Sequence, residues 1–393
     1  MKNSSGKIRG RRIHFAGSAD PEVEPQRLRD FHRLIKNLAK CTLAEGAGLV
    51  VTVGSEPTHK TEHDLPLIFD WTLLEAIDET FKTKLPDWPE SQGAPIIAVG
   101  LPRWKEKMPR GRKPLWERLV STENVELVQI RSELSIGGIL RERQATFGDI
   151  LAVAGGGPGV EHLAQLYMST CKPVIPLDIK LKTKTSAAEG LAIRATENPG
   201  KFFDYKPPHH AAAAFSTLSL KDRLPKAEEF EKKFFDFVFH LRRPRVFFAR
   251  LLNKKLPEFS EVERFFRDVV DHVVQNAGYE RFEMGKEASE EPFLNVEVFQ
   301  AIYSSSLTIV DLTGMRQDCL TELGYALGLG KKVIITAQEG TSLPFDSAAL
   351  PCHFWSSEQT CAQSITNLQE FMKKNINRKP IVESLQGIPK TCI

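Results

Sequence analysis

The segment MRQDCLTELGYALGLGKKVIIT (315–336) surrounds one carboxylate, Glu322, with residue types that suit an acid acting on a ligand. Helical spacing places Tyr325 and Ala326 on the face that carries Glu322. Gly324 leaves open space beside the acid, although a glycine inside a helix costs about 1 kcal/mol relative to alanine. A carboxylate in this setting could stabilise positive charge that develops on a bound ligand. The pattern therefore favours a catalytic role for Glu322.

An ordinary structural role is the alternative, because Asp318 is well placed as the N-cap of the same helix. Glu322 would then lie about one turn into the helix, where the dipole favours a carboxylate by about 0.3–1 kcal/mol. The preceding predicted strand ends at Asp311, and the loop after it carries Gly314 and Arg316. These elements bring the start of the helix to the carboxyl edge of a sheet, where α/β proteins bind ligands. Glu322 is thus predicted to face a ligand, whereas Asp318 could assist it or only cap the helix.

Three predicted strands of the N-terminal half end in small residues: AGSAD (16–20), VGSEP (53–57) and AGGGPGVEHLA (154–164). Glycine at the carboxyl ends of parallel strands lets backbone N–H groups approach a phosphate, and a following helix adds the positive end of its dipole. The alternative is that the glycines only make tight strand-to-helix turns. Because three strand ends share the pattern, a nucleotide site is predicted there. Its predicted members are Gly17, Ser18, Gly54, Ser55, Gly156, Gly157, Gly159, Glu161 and His162.

Basic side chains near these strand ends fit either of two roles. Arg141 and Arg143 precede the third glycine-rich strand end, and the segment PRWKEKMPRGRKPLWER (102–118) follows another predicted strand. Such side chains could meet the phosphates of a ligand, or they could lie on a solvated surface. The sequence leaves both interpretations open.

Length and composition describe a globular protein without a general affinity for nucleic acid or membranes. The 393 residues are too many for one comfortable core, so two domains are expected. The 53 basic and 50 acidic residues give a net charge of +3, close to balance. The six cysteines include no C-x-x-C pair, which is typical of reduced thiols, and neither a metal nor a cofactor is expected. No apolar run approaches the ~20 residues of a membrane span, so a cytoplasmic location is expected.

The order of apolar runs predicts an α/β protein with two Rossmann/flavodoxin-like parallel-sheet domains in tandem. RRIHFAGSAD (11–20) and RPRVFFARLL (243–252) each begin a strand that precedes a helix ending at glycine. Later apolar runs are bounded by glycine or proline and alternate with helices, as in a parallel sheet covered on both faces. The predicted boundaries are an N-terminal domain over 10–215, a helical linker over 216–243, a C-terminal domain over 244–375 and a tail over 376–393.

The glycine layout of the N-terminal half resembles the SLOG superfamily, which groups LOG-type phosphoribohydrolases with the DNA-uptake Smf/DprA proteins. Gly156, Gly157 and Gly159 match the LOG fingerprint G-G-x-G-T-x-x-E, whereas Val160 and Leu163 replace its threonine and glutamate. The resemblance implies a ligand-sensing module that keeps the nucleotide cradle and lacks the hydrolytic acid. In prokaryotic defence proteins such modules bind nucleotide-derived second messengers.

The stretch DLTGMRQDCLTELGYALGLGKKVI (311–334) resembles nucleoside 2-deoxyribosyltransferases and the related TIR-like nucleotide glycohydrolases. Both have a flavodoxin-like fold with an E-L/I-G-x-A helix between two strands. The resemblance implies that Glu322 is the nucleophile or oxocarbenium stabiliser and that Asp311 and Asp318 bind ribose hydroxyls. NAD⁺ or a related nucleotide is the implied substrate. The predicted substrate-binding residues are Phe248, Arg250, Gly314, Arg316 and Tyr325.

Together the two resemblances imply an N-glycosidase of the bacterial anti-phage type that is activated by a nucleotide second messenger. Ligand-driven homo-oligomerisation is the expected switch, and neither a membrane nor nucleic acid is an expected partner. Two alternatives stay open at this point. One is a constitutive nucleoside deoxyribosyltransferase or nucleoside hydrolase whose N-terminal half is a scaffold. The other is a non-catalytic protein that binds nucleotides or single-stranded DNA.

Overall fold

The described part of the computed structural model comprises residues 8–58, 65–81, 88–100, 103–130, 137–220, 226–282, 294–343 and 350–378. These residues form two α/β units, each built on a parallel sheet, which confirms the predicted fold class. The first unit comprises Met1–Trp88 and Ala94–Arg242, and the second comprises Pro89–Gly93 and Arg243–Ile393. Among the described helices, none is both long and apolar enough to cross a membrane.

The sheet of the first unit consists of nearly continuous apolar strands because helices cover it. Every residue of Ile96–Gly100 and of Ile150–Gly155 is buried. The six strands in the described part of the unit are β1 Arg12–Ser18, β2 Gly48–Val53, β3 Ile96–Gly100, β4 Val125–Gln129, β5 Ile150–Gly155 and β6 Val174–Leu177. Their spatial order is β4-β3-β2-β1-β5-β6, and all neighbours are parallel. The order reverses between β1 and β5, which makes their carboxyl ends the ligand-binding crevice expected of this architecture.

Helices alternate with these strands, and each buries the side on which its apolar residues recur. In the helix Pro25–Ala44 the residues Leu28, Phe31, Ile35 and Leu38 are buried, as their spacing of three and four predicts. The helices of the first unit are α1 Pro25–Ala44, α2 Asp70–Phe81, α3 Trp104–Lys107, α4 Lys113–Val120, α5 Gly137–Phe147, α6 Pro158–Ser169, α7 Ala187–Glu197, α8 Pro199–Phe202, α9 Ala211–Ser216 and α10 Ala227–Phe239.

Helix α10 corrects the linker predicted over 216–243. Its Phe230, Phe234 and Phe237 are at most 2% exposed and belong to the core of the first unit. An aromatic helix face of this size is stable only where it is removed from water, and the N-terminal core supplies that surface. Helix α10 is therefore part of the first unit.

The second unit has a five-stranded parallel sheet in its described residues, with the order β8-β7-β9-β10-β11. The strands are β7 Arg245–Ala249, β8 Glu280–Arg281, β9 Leu307–Asp311, β10 Lys332–Gln338 and β11 Cys352–Trp355. The helices are α11 Phe259–Phe265, continued by a π-helical turn Phe266–Val270 into α12 Asp271–Asn276, then α13 Leu294–Ser304, α14 Gln317–Gly328 and α15 Cys361–Asn375. The order reverses between β7 and β9, so this unit also has a switch point. Residues 379–393 of the predicted tail lie outside the described residues.

Alternation along β7 separates two apolar layers. Phe247 and Ala249 pack with α14, whereas Val246 and Phe248 pack on the opposite face of the sheet. Elements from both faces therefore border the switch point of the second unit. Predicted residues from either face of this sheet can therefore meet at the switch point.

Candidate functional site

The first candidate site is the crevice at the carboxyl ends of β1 and β5. Gly17 and Ser18 pair with Ala154 and Gly155 in parallel register. Gly17 has a φ of +150°, and a Cβ on it would lie 1.8 Å from the carbonyl oxygen of Ala154. The Gly156 N–H donates to the carbonyl of Ser18 over 2.8 Å and fixes the turn after β5. Glycine at these positions is thus required by the close approach of the two chain segments.

The start of α6 is the open part of this crevice. Gly157 is the N-cap residue, no side chain caps the helix, and a Cβ on Gly157 would meet no atom within 4 Å. The first N–H groups of a helix have no acceptor inside it, and they carry the positive end of its dipole. In α6, Pro158 has no N–H, and the Val160 N–H donates to the Gly157 carbonyl over 2.8 Å. The Gly159 N–H is therefore the first-turn donor that could face a phosphate.

Glu161 and His162 already have protein partners near the start of α6. Glu161 forms an ion pair of 3.2 Å with Arg194 of α7, and both side chains are about half exposed. His162 accepts at Nδ1 a hydrogen bond of 2.9 Å from Nε of Arg141 on α5. Arg143, on the same helix as Arg141, is instead nearly buried. The structure thus brings Arg141 to the glycine-rich turn.

Leu163 occupies the place of the glutamate in the LOG fingerprint, and it is only 3% exposed. Its side chain belongs to the core of the first unit rather than to the crevice. Glu161, the nearest acid in sequence, is held at the surface by Arg194. The first crevice consequently combines glycines with a cation, a composition suited to holding an anionic ligand.

The turn after β2 lies one strand away from the switch point. Gly54 is buried there and its carbonyl accepts a hydrogen bond of 3.3 Å from a tryptophan indole, whereas Ser55 is exposed. Within the basic segment 102–118, Arg112 makes hydrogen bonds of 3.0 and 2.7 Å with Glu56. The charge of Arg112 is therefore compensated inside the fold, and this arginine has no need of a phosphate partner.

The second candidate site lies around the start of α14. The N-cap residue is Arg316, without a side-chain cap, and Asp318 is an exposed residue of the first turn. Of the two roles left open for Asp318, the N-cap role therefore falls to Arg316, because the chain leaves the extended conformation two residues before Asp318. Arg316 is half-buried and forms no ion pair within the part of the chain that the structure describes.

Glu322 lies in the second turn of α14 and is half-buried. Its carboxylate has no hydrogen bond or ion pair with any described residue. Burial, with a smaller contribution from the negative charge of Asp318, raises the pKa of Glu322 to about 7. The helix dipole acts mainly within the first turn, so it does not account for an acid at this position. Glu322 can therefore exchange a proton near neutral pH.

Asp311 occupies a different environment from the one that a ribose ligand needs. It is 1% exposed, and it accepts hydrogen bonds from Thr336 Oγ1 at 2.7 Å, Trp355 Nε1 at 3.0 Å and the Thr313 N–H at 3.1 Å. Burial nevertheless raises its pKa, because these bonds offset only part of the lost solvation. All of its contacts position the end of β9 and the turn that follows.

That turn contains two consecutive residues in the left-handed region. Gly314 has a φ of +71° and Met315 a φ of +49°. The second is uncommon for a residue with a side chain and costs energy that the surrounding structure must supply. The Asp311–Thr313 bond immediately before the turn is one such constraint.

Three predicted substrate-binding side chains have neighbours inside the protein. Arg250 is 9% exposed and is ion-paired with Glu263. Phe248 contacts Arg281, whose guanidinium lies 5.2 Å from the ring centroid. The third, Tyr325, packs on a phenylalanine of α13 with ring centroids 4.7 Å apart. Arg250 and Phe248 thus line one side of the switch point as fixed elements of its wall.

Glu258 is a carboxylate at this switch point that sequence reasoning missed. It is the N-cap residue of α11 in the loop after β7, and its Oε2 lies 3.8 Å from the position of a Cβ on Gly314. Its carboxylate forms no hydrogen bond or ion pair with any described residue. Its place after the first strand of the unit is the one signal that could have indicated it. Among the described residues, no group of three His, Cys, Asp or Glu could hold a metal ion.

Comparison with protein families gives this geometry a context. The model of the ATP nucleosidase Cap17-like N-terminal domain matches residues 8–230, more than half of the chain. The chain belongs to this Cap17-like family. The matched region contains the crevice of β1 and β5 together with Arg141 and His162.

The curated relatives and the solved structures that are similar to this chain match it at low sequence identity. ATP nucleosidase Cap17 from Escherichia coli, including strain KTE188, is 26% identical over 170 residues, which are 43% of this chain and 32% of the relative. The chain thus spans about a third of the length of the curated relatives it matches. The CMP N-glycosidase BcmB of Clostridium botulinum has a TM-score of 0.23, with 18% identity over 32% of this chain and 98% of its own. DNA processing protein A of Helicobacter pylori has a TM-score of 0.33, with 11% identity over 60% and 84%. Likenesses this low carry no functional argument.

Proposed function

We propose that this protein hydrolyses the N-glycosidic bond of an adenine nucleotide in its second unit, under the control of a nucleotide bound in its first unit. The observation that carries the proposal is Glu322, a half-buried carboxylate without a partner among the described residues, whose pKa is raised to about 7. Burial disfavours the ionised form of this carboxylate unless a ligand interacts with it. A carboxylate perturbed in this way is typical of a functional site.

Hydrolysis would break the bond between C1′ of the ribose and the base nitrogen. The electron pair leaves with the base, which takes up a proton, while water adds to C1′ and loses a proton. Glu322 is suited to exchange one of these protons or to stabilise the cationic sugar. Glu258, from the opposite side of the switch point, is the candidate for the second carboxylate that such reactions commonly use. The guanidinium of Arg316 is the candidate for contact with the substrate phosphates.

The substrate is proposed to be ATP or another adenine nucleotide. The family of the first unit, described by ATP nucleosidase Cap17 and matching residues 8–230, supports this choice. NAD⁺ is the second substrate to test because the second unit resembles TIR-like glycohydrolases. A role in anti-phage defence is proposed because the two halves of the sequence resemble sensor and glycohydrolase modules of prokaryotic defence proteins. The nucleotide in the first unit is proposed to be a second messenger, since its crevice combines glycines and a cation with no acid at the Leu163 position.

The test is to measure release of free adenine or nicotinamide from ATP and NAD⁺ by chromatography. The wild-type chain, Glu322→Gln and the control Glu370→Gln are compared, with and without a panel of cyclic nucleotides and ADP-ribose isomers. Glu370 is an exposed acid of α15, so it controls for the loss of one charge in the same unit. Base release that Glu322→Gln reduces at least ~100-fold, about 3 kcal/mol of barrier, supports the proposal. Base release unchanged in Glu322→Gln would refute the assigned site.

Control by the first unit is tested in the same samples. Messenger-dependent turnover, accompanied by an increase in mass in light scattering, supports a switch through homo-oligomerisation. Turnover that is equal with and without every messenger would instead support a constitutive nucleoside-processing enzyme. Plaque formation in cells that carry the wild-type or the Glu322→Gln chain tests the role in defence.

A further inference from the structure

The side chain of Arg141 lies beside the glycine-rich turn of the first unit. Its Nη1 lies 3.2 Å from the position of a Cβ on Gly159 and equally far from that of a Cβ on Gly137. A side chain at either glycine would crowd the guanidinium. Both glycines therefore make room for the arginine head group, which lies against the backbone at the start of α6.

The charge of Arg141 is not compensated within the part of the chain that the structure describes. Its one hydrogen bond runs from Nε to His162, and it forms no ion pair with a described carboxylate. Two other arginines of the unit are ion-paired: Arg112 with Glu56 and Arg118 with an aspartate. A half-buried guanidinium beside the positive end of a helix dipole is electrostatically unfavourable until an anion joins it.

His162 determines which part of Arg141 remains available. Because the imidazole accepts the Nε–H, the two terminal amino groups keep their donors and their planar geometry. Two parallel N–H donors match the two oxygens of a phosphate, whereas a lysine ammonium would present one point charge. The pair therefore has the chemistry of a phosphate-recognising fork held by a histidine.

We propose that Arg141 is a specificity-determining residue that recognises a phosphate of the nucleotide in the first unit, and that His162 is its positioning residue. The inference rests on the proposed function in one respect, namely that this crevice binds a nucleotide. It adds that the ligand must carry a phosphate at the start of α6, so that the corresponding nucleoside binds without this contact.

The experiment uses the full chain with Glu322→Gln, so that the second unit does not consume the ligands. AMP, cyclic AMP, ADP-ribose and adenosine are each titrated by calorimetry into this background and into the same chain with Arg141→Gln, Arg141→Lys or Arg118→Gln. Arg118 is an exposed arginine of α4 and controls for the loss of one positive charge. Circular dichroism checks that each variant keeps its fold.

We expect Arg141→Gln to weaken phosphate-bearing ligands about 10- to 100-fold and to leave adenosine unchanged. Arg141→Lys should weaken the binding of these ligands less, and Arg118→Gln should leave their affinity unchanged. His162→Ala should weaken the same ligands, whereas His162→Gln, which keeps an acceptor, should restore part of the affinity. His162→Ala should add little when Arg141 is already glutamine, because the histidine acts through the arginine.

Three results would overturn the inference in distinguishable ways. In the Glu322→Gln background, equal affinity for a phosphate-bearing ligand with arginine or glutamine at position 141 would exclude Arg141 from phosphate recognition. A nucleotide site would still be present. Absence of binding of all four ligands to a folded wild-type first unit would remove the nucleotide site itself. An equal loss for adenosine and AMP in Arg141→Gln would indicate a structural role and also refute recognition of the phosphate.

Discussion

Replacing Glu322 by glutamine should make the protein more stable above neutral pH, not less. The pKa of this carboxyl rises from an ordinary 4.5 to about 7 in the folded chain. The folded state therefore binds more protons than the unfolded state between these pH values, and stability falls as pH rises through that window. At pH 8 the fold has to hold an ionised carboxylate that burial and Asp318 disfavour. Glutamine removes this cost.

The magnitude follows from the shift. Taken in full, the pKa shift of Glu322 corresponds to a loss of about 3 kcal/mol in the free energy of unfolding. The side chain is only half-buried, however, and screening by solvent reduces this loss to about 1–2 kcal/mol. Urea denaturation followed by circular dichroism at pH 8 should show Glu322→Gln more stable by this amount. At pH 4, where the acid is mostly protonated in both states, the two chains should agree within about 0.5 kcal/mol.

The alternative explanation of Glu322 predicts the opposite sign. If the residue were an acid that stabilises the start of a helix, glutamine would cost about 0.3–1 kcal/mol at pH 8. The control Glu370→Gln, an exposed substitution, should change stability by no more than about 0.5 kcal/mol at either pH. A less stable Glu322→Gln at pH 8 would therefore refute the view that this carboxylate is held at an energetic cost for function.

Further substitutions test the two crevices. Asp311→Asn should destabilise the second unit by about 1–3 kcal/mol in urea denaturation, because an amide cannot accept all three hydrogen bonds; unchanged stability would contradict its assigned positioning role. Gly17→Ala should prevent stable folding, seen in circular dichroism, whereas Gly157→Ala should keep the fold and weaken AMP binding in calorimetry, since its Cβ enters only open space. Gly324→Ala should stabilise α14 by about 0.5–1 kcal/mol, and a drop in base release despite this gain would show that a ligand needs the space.

The elements of the fold were predictable because they depend on local patterns. The buried strands Ile96–Gly100 and Ile150–Gly155 were visible as short apolar runs, and α1 as apolar residues at helical spacing. The role of α10 was not visible, since an amphipathic helix shows that it has a partner surface without showing which one. Its phenylalanines pack in the N-terminal core.

The location of each site could be predicted from the sequence, but the contacts of its side chains could not. Glycines and acids at strand ends indicate a crevice, because the carboxyl ends of parallel strands meet there. The partner of each side chain depends on contacts between residues far apart in sequence. The bonds from Trp355 to Asp311 and from Arg141 to His162 are of this kind, and so is the approach of Glu258 to Gly314.

The three hydrogen bonds of Asp311 also have a mechanical consequence. Thr336 belongs to β10 and Trp355 to β11, the outer strand of the second sheet, so one carboxylate fastens three adjacent strands at the same end. An edge strand is ordinarily the first part of a sheet to fray. Here fraying of β11 would remove the Trp355 bond, one of the three that hold the aspartate beside the turn before α14. In hydrogen–deuterium exchange, the amides of β11 and of that turn should therefore open together, as one cooperative unit.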